Sequence, residues 1–208
     1  MSDRDQYTLR EIELSFSKND AMRIAFANQW AKTHADRLKQ VERAIDLIIS
    51  EYQKTRQHRH MRNEDGLTID FILSLRLMGF EASHDKDIGG HCDIAIENAD
   101  NFLWLGEAKI ATGYDWLLQG FNQLVTRYSP GTPGQDTGGM LIYCKQQNVR
   151  LVMERWEACL RSSFANIDLR RCSANPLIIL TEHEHPVSGL PYKVRHTPMA
   201  LFFDPQDK

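Results

Sequence analysis

The run Phe102-Leu103-Trp104-Leu105-Gly106-Glu107-Ala108-Lys109-Ile110 limits the fold of this chain more than any other segment. Its apolar and aromatic content is that of a strand. Strand alternation puts Phe102, Trp104, Ala108 and Ile110 on one face, and Leu103, Leu105, Glu107 and Lys109 on the other. Two charged side chains therefore stand next to each other on a face that begins apolar. The segment before it, His91-Cys92-Asp93-Ile94-Ala95-Ile96-Glu97, follows Gly89-Gly90 and also reads as a strand, with Asn98-Ala99-Asp100-Asn101 as the turn between them. The pair forms a hairpin. With residues 98–102 as the loop, Glu97 pairs with Leu103, and counting back sets Asp93 opposite Glu107, their Cβ atoms about 5 Å apart. Gly106 leaves room for bulky neighbours or a ligand, or else marks a bulge that would change this register.

The rest of the chain places this hairpin in an α/β protein. Ser17-Lys18-Asn19-Asp20 offers N-cap candidates. Beyond it Ile24, Ala27, Trp30, Ala31, Leu38, Val41, Ala44, Ile45 and Ile48 recur at helical spacing as far as about Tyr52. That length predicts two helices broken near Thr33-His34, or one long helix that packs on a partner. Residues 1–62 are accordingly expected to form an N-terminal helical appendage, and 63–208 the main domain. The apolar stripe of the appendage predicts a homodimer or larger complex, because an exposed patch of that kind seeks cover. From Asn63 onward the order is helix, strand, strand, helix, strand. Leu67, Phe71, Leu75 and Met78 mark a helix over 64–78 ended by Gly79, and residues 114–128 mark a second, stopped by Ser129-Pro130-Gly131. Met140–Cys144 reads as a buried strand, 148–164 as a helix, and 177–180 and 194–203 as late strands.

Charge and composition exclude several classes. Hydrophobic residues at 42% and charged residues at 25% belong to a globular chain. No apolar stretch is long enough to cross a bilayer, and the first 30 residues carry charges throughout, so neither a membrane span nor a signal peptide is expected and the protein is placed in the cytoplasm. Cys92, Cys144, Cys159 and Cys172 form no CxxC pair, and disulfides are not expected. The net charge of -3 conceals an acidic middle: residues 63–144 hold 4 basic and 12 acidic side chains, whereas 1–62 hold 12 and 9. The run Arg56-Gln57-His58-Arg59-His60-Met61-Arg62 reads as a solvated basic link or a phosphate contact. No GxxxxGK[ST], GxSxG or GxGxxG motif is present, so nucleotide-driven, serine-hydrolase and dinucleotide chemistry lack support. His183, Glu184, His185, His196 and Cys172 match no compact zinc pattern.

Two close carboxylates repel, and one lysine offsets a single charge. A hard divalent cation such as magnesium or manganese resolves the conflict, and it supplies the chemistry for phosphodiester hydrolysis. Lys109 would then act on the water or on charge developing at the phosphate. Taken alone, Glu64 is also favoured where it stands simply because a carboxylate suits a helix N-terminus, and Asp65 competes with it.

The helix beginning Asn63-Glu64-Asp65, the Gly89-Gly90-His91-Cys92-Asp93-Ile94 strand and the Glu107-Ala108-Lys109 strand together resemble the PD-(D/E)xK nuclease superfamily over residues 63 to about 145. The resemblance implies a restriction-endonuclease-like core, a mixed central sheet flanked by helices. It also implies a site built from a helix carboxylate (Glu64), a strand aspartate (Asp93) and an ExK pair (Glu107, Lys109). Mg²⁺ would be held by Asp93, Glu107 and Glu64, with Mn²⁺ able to substitute. Gln119 and Gln123, one turn apart, resemble the glutamine motif of defence-related and restriction-like members, and His91 adjoins the site as a substrate contact. Cys92 stands where the family's proline would precede Asp93. The implied activity is metal-dependent cleavage of nucleic acid, with DNA as partner. The alternative is a noncatalytic nucleic-acid-binding or assembly subunit that keeps the nuclease fold. Removing Glu107 or Lys109 is expected to cost little stability.

Overall fold

The computed structural model describes residues 7–15 and 18–207. In chain order the helices are α1 (Leu9–Ser15), α2 (Asp20–Gln29), α3 (His34–Lys54), α4 (Glu64–Leu77), α5 (Tyr114–Gln123) and α6 (Val149–Ser163). The strands are β1 (Glu81–Ser83), β2 (Lys86–Asp87), β3 (His91–Cys92), β4 (Ile94–Asn98), β5 (Phe102–Ile110), β6 (Thr137–Cys144), β7 (Asp168–Arg171), β8 (Ile179–Glu184) and β9 (Pro191–Ala200). Seven strands form one mixed sheet in the order β1-β4-β5-β6-β9-β8-β7, and β2 and β3 form a separate hairpin. β5, β6 and β9 are parallel, and the remaining pairs are antiparallel. Among the described residues no helix is long and apolar enough to cross a membrane.

Local chemistry fixes the helix ends. The break expected near Thr33-His34 falls there because Thr33 accepts from Asp36 N at 3.1 Å while the Asp36 carboxylate accepts from Thr33 N, a reciprocal capping box. Asn19 caps α2 by accepting from Met22 N, and Ser17, the other cap candidate, lies outside the described residues. Asn63 accepts from Gly66 N at 3.0 Å to open α4, and Gly79 at φ 78° turns the chain out of it.

The apolar stripe of α3 has a different use from the one expected of it. Val41, Ala44, Ile45, Ile48, Ile49 and Tyr52 are buried in one cluster with Phe71 and Leu75 of α4 and with the sheet residues Ile96, Trp104, Leu141 and Met199. Polar ties reinforce the docking: Arg195 donates twice to Asp46, and Gln53 accepts from Ala200 N. The helix thus forms part of the main core, and the α3 part of the stripe that suggested self-association is covered from within the chain, whereas Trp30 after α2 stays 57% exposed. The opposite face of the sheet packs on α5 and α6 through Leu117, Phe121, Met153 and Trp156. The result is three layers, helices against both faces of the sheet.

The observed register agrees with the pairing read from the sequence. Glu97 stands opposite Leu103 and Ile94 opposite Gly106, so Gly106 makes no bulge. Instead, a Cβ at Gly106 would lie 2.7 Å from the Trp104 ring, so the missing side chain is what lets that ring lie against the strand. The predicted 91–97 strand is interrupted, because Asp93 is a bend between β3 and β4.

Candidate active site

β5 runs farther than its antiparallel partner. β4 pairs only from Ile94 opposite Gly106, so beyond that point the N–H groups of Ala108 and Ile110 need other acceptors. Two carboxylates take them: Asp93 Oδ2 accepts from Ala108 N at 2.9 Å, and Glu64 Oε2 from Ile110 N at 2.6 Å. Asp93 is carried there by the bend before β4. Glu64 arrives on the first turn of α4, whose register is held by Thr68: its hydroxyl donates to Glu64 O at 2.9 Å and lies 3.1 Å from Tyr143 Oη on β6. Of the two helix carboxylates, Glu64 reaches β5 and Asp65 is exposed.

Lys109 lies at the centre of the group. Its Nζ is 2.7 Å from Glu107 Oε1, 3.5 Å from Glu64 Oε1 and 3.5 Å from Asp93 Oδ2. Glu107 is only 1% exposed, and its Oε2 has no hydrogen-bond partner among the described residues. Burial, together with the Asp93 carboxylate, pushes the Glu107 carboxyl up to about 7, against the lowering pull of Lys109. Burial works against the Lys109 ammonium, but the combined fields of Asp93, Glu107 and Glu64 outweigh it and hold its pKa above the ordinary lysine value.

A helix interior normally disfavours glycine, yet α5 carries Gly120 against this cluster. A Cβ there would lie 3.0 Å from Lys109 Cγ and 3.2 Å from Glu107 Cγ. One turn earlier Trp116 sets its ring 5.1 Å from Lys109 Nζ. Neither residue was singled out by motif, although a glycine inside an amphipathic helix was a readable sign of close approach.

Three of the predicted contacts have other surroundings in the structure. Gln119 and Gln123 line a shallow hollow with Asp115, Leu118, Asn122, Thr126 and Arg127, and among the described residues neither hydrogen-bonds to the charge cluster. Alternation along α5 turns Gly120, rather than the glutamines, toward β5. His91 sits on the β2–β3 hairpin, mostly exposed, with Nδ1 2.9 Å from Asp85 Oδ1. Cys92, in the proline position, is buried beneath β5 with its thiol directed at Ile94 O and Gly106 O, and burial pushes it up to about 12, which keeps it a protonated packing residue.

Beyond β7, His185 and His196 have hydrogen-bond partners, whereas the ring nitrogens of His183 have none among the described residues. His196 accepts from Trp156 Nε1 at 3.1 Å on Nδ1 and meets Thr181 Oγ1 at 3.0 Å on Nε2. His185 Nδ1 accepts from Val187 N and Ser188 N, which leaves Nε2 to donate to Ser129 Oγ at 2.9 Å. In that tautomer His185 cannot serve as a base toward Ser129.

Among the described residues no three His, Cys, Asp or Glu side chains stand ready-made at metal-ligand spacing. Around Lys109 the carboxylates of Glu64, Asp93 and Glu107 each lie within 3.5 Å of the ammonium. The donor set nonetheless fits a hard divalent cation. All three are oxygen ligands from separate segments of the chain, and one buried oxygen lacks a partner among the described residues. No family model matches the chain, and no curated protein or solved structure is significantly similar to it.

Proposed function

We propose that the chain is a metal-dependent nuclease of the PD-(D/E)xK type, hydrolysing phosphodiester bonds in DNA on a restriction-endonuclease-like core. The observation that carries this reading is the convergence of Glu64, Asp93 and Glu107, from three separate segments of the chain, on one buried lysine. A structural ion pair needs a single partner; three carboxylates around one ammonium leave negative charge that a proton on Glu107 or a bound cation relieves. The succession α4-β1-β4-β5-α5-β6 supports the same reading, with the helix carboxylate, strand aspartate and ExK pair followed by a helix and a further strand.

Glu64, Asp93 and Glu107 would hold Mg²⁺, with Mn²⁺ able to substitute. When bound, such an ion supplies an activated water and charge stabilisation at the phosphate. The protein's own part is positional. Asp93 and Glu64 are fixed by the Ala108 and Ile110 amides, so two donors are oriented before any ligand arrives. Glu107 has to give up its proton to become a full ligand, which its value of about 7 allows near neutrality. Lys109, released from its contact with Glu107, puts a positive charge next to the scissile phosphate.

The test is cleavage of plasmid, linear duplex, single-stranded DNA and RNA with Mg²⁺, Mn²⁺ or EDTA, using wild type, Asp93→Asn, Glu107→Ala and Lys109→Ala. Metal-dependent cleavage lost in all three variants is the expected result. Calorimetric titration of Mn²⁺ should show binding that Asp93→Asn removes. Equal Mn²⁺ binding and equal cleavage in all four proteins would refute the assignment and leave an assembly subunit in its place.

A further inference from the structure

The basic run before α4 ends two residues short of Glu64. Lys145, the first residue after β6, donates from its ammonium to the carbonyl of Arg62. Gln146 Nε2 donates to Ala111 O at 2.6 Å. The end of β5, the loop after β6 and the basic turn are thus tied together at the carboxyl edge of the parallel strands, the edge where open α/β sheets present their ligand crevices. On the α4 side of this edge stand the cations of Lys145 and Arg62, the latter also paired with Asp70 Oδ2 at 3.2 Å.

Trp116 enters from the opposite helix layer. Its neighbours Leu117, Gly120 and Phe121 are buried, whereas Trp116 is 41% exposed although it stands beside the buried ions Glu107 and Lys109. Core packing does not explain that position, and the contact with Lys109 occupies one ring face only. The segment before it is open as well, with nothing within 4 Å of where a Cβ on Gly113 would stand.

We propose that Trp116 is a stacking platform for an unpaired nucleobase, so that the ligand of this opening is single-stranded DNA whose phosphates lie on Arg62 and Lys145. A base inside a duplex has both faces covered by its neighbours and offers none to a side chain; an unpaired base offers one. The inference rests on the nuclease reading, since the same opening receives the strand.

Fluorescence anisotropy in EDTA separates binding from chemistry. A labelled twelve-nucleotide oligo-dT, a blunt-ended two-strand duplex and an oligo-rU are titrated with wild type, Trp116→Phe, Trp116→Ala and the Arg62→Ala/Lys145→Ala pair. Trp116→Ala should weaken oligo-dT binding roughly 5- to 100-fold, as loss of one base–aromatic stack does. Trp116→Phe should bind oligo-dT within about threefold of wild type, duplex binding should change little in either, and the double variant should flatten the salt dependence. Unchanged oligo-dT affinity in Trp116→Ala, a parallel loss on duplex, tighter Trp116-dependent binding of oligo-rU, or no oligo-dT binding by wild type would each overturn it. The two readings fail separately. Trp116-dependent binding without any Mg²⁺ cleavage sinks the nuclease and keeps the platform, whereas cleavage indifferent to Trp116 does the reverse.

Discussion

Replacing Lys109 by methionine keeps the length of the stem and removes the ammonium, and the arrangement around it fixes what should follow. At an effective dielectric of about 20, contacts of 2.7 Å and 3.5 Å correspond to roughly 5–6 kcal/mol each before desolvation is counted. Most of that gross energy is offset by taking the charges out of water. What does not cancel is the position of the carboxylates left behind, and breaking a buried pair on one side costs about 3–5 kcal/mol. Glu64 and Asp93 keep the Ile110 and Ala108 amides, so the loss concentrates on Glu107, which has no other partner.

Glu107 can escape by taking up a proton, which makes the cost depend on pH. Its folded pKa already stands near 7 against 4.5 unfolded, a raised value; the stability linked to it is full below about 4.5 and lost as pH rises through 7. Without Lys109 that pKa rises further. Urea unfolding in EDTA should therefore show Lys109→Met destabilised by about 3–5 kcal/mol at pH 8.5 and by much less at pH 5.5. Glu107→Gln should do the opposite, equalling or exceeding wild-type stability at pH 8.5, with a gain bounded at about 3 kcal/mol by the shift from 4.5 to about 7. Mn²⁺ should restore part of what Lys109→Met loses. A Lys109→Met protein within 1 kcal/mol of wild type at pH 8.5, or a Glu107→Gln protein clearly less stable there, would refute the coupling. The two removals, treated alike in the expectation from sequence, are thus predicted to differ, Glu107 costing little and Lys109 costing more at high pH.

Three further outcomes follow from the same structure. Burial depresses His196 from 6.5 to about 3, so the neutral ring's contribution is complete above 6.5 and is lost as pH falls toward 3, at about 1.4 kcal/mol per pH unit; His196→Gln should flatten that part of the acid-unfolding curve, and an unchanged slope would contradict it. Gly120→Ala should raise helix propensity by about 1 kcal/mol yet crowd Lys109 and Glu107, so the melting temperature should stay close to wild type while metal-dependent cleavage falls at least tenfold; full activity would show the cradle to be idle. Ile45→Ala should cost about 2–5 kcal/mol of unfolding free energy with no change in sedimentation, because Ile45 is buried at 2% exposure within the chain's own core; dissociation of an oligomer would contradict that.

The sequence was most informative where side-chain alternation and chemical conflict coincided. Glu107 and Lys109 stand in an apolar strand, a choice that packing alone disfavours, and hairpin counting from Glu97 opposite Leu103 was enough to bring Asp93 alongside. The long helices were legible for a similar reason, since α3 repeats its apolar positions over five turns and is capped by Thr33. What covers that stripe was not legible. An amphipathic helix shows that one face is buried and says nothing of whether the cover is another molecule or the protein's own sheet. β1, β2 and β7 escaped because two to four residues, as in Asp168-Leu169-Arg170-Arg171, are too short and too polar to display a period.

The glutamines of α5 show the limit of motif spacing most clearly. Gln119 and Gln123 are one turn apart, which places them on a common face but leaves open which way that face points. Its orientation was carried instead by the residue between them, because only a position without a side chain lets α5 approach the stems of Lys109 and Glu107 as closely as Gly120 does. With Gly120 turned inward, Trp116 one turn earlier is brought beside Lys109 and the glutamines fall on the rim. The same glycine therefore sets the depth of the charge cluster and the placement of the one exposed aromatic next to it. That is why the Gly120→Ala and Trp116→Ala proteins should fail differently, the first in cleavage with binding retained and the second in single-strand binding itself.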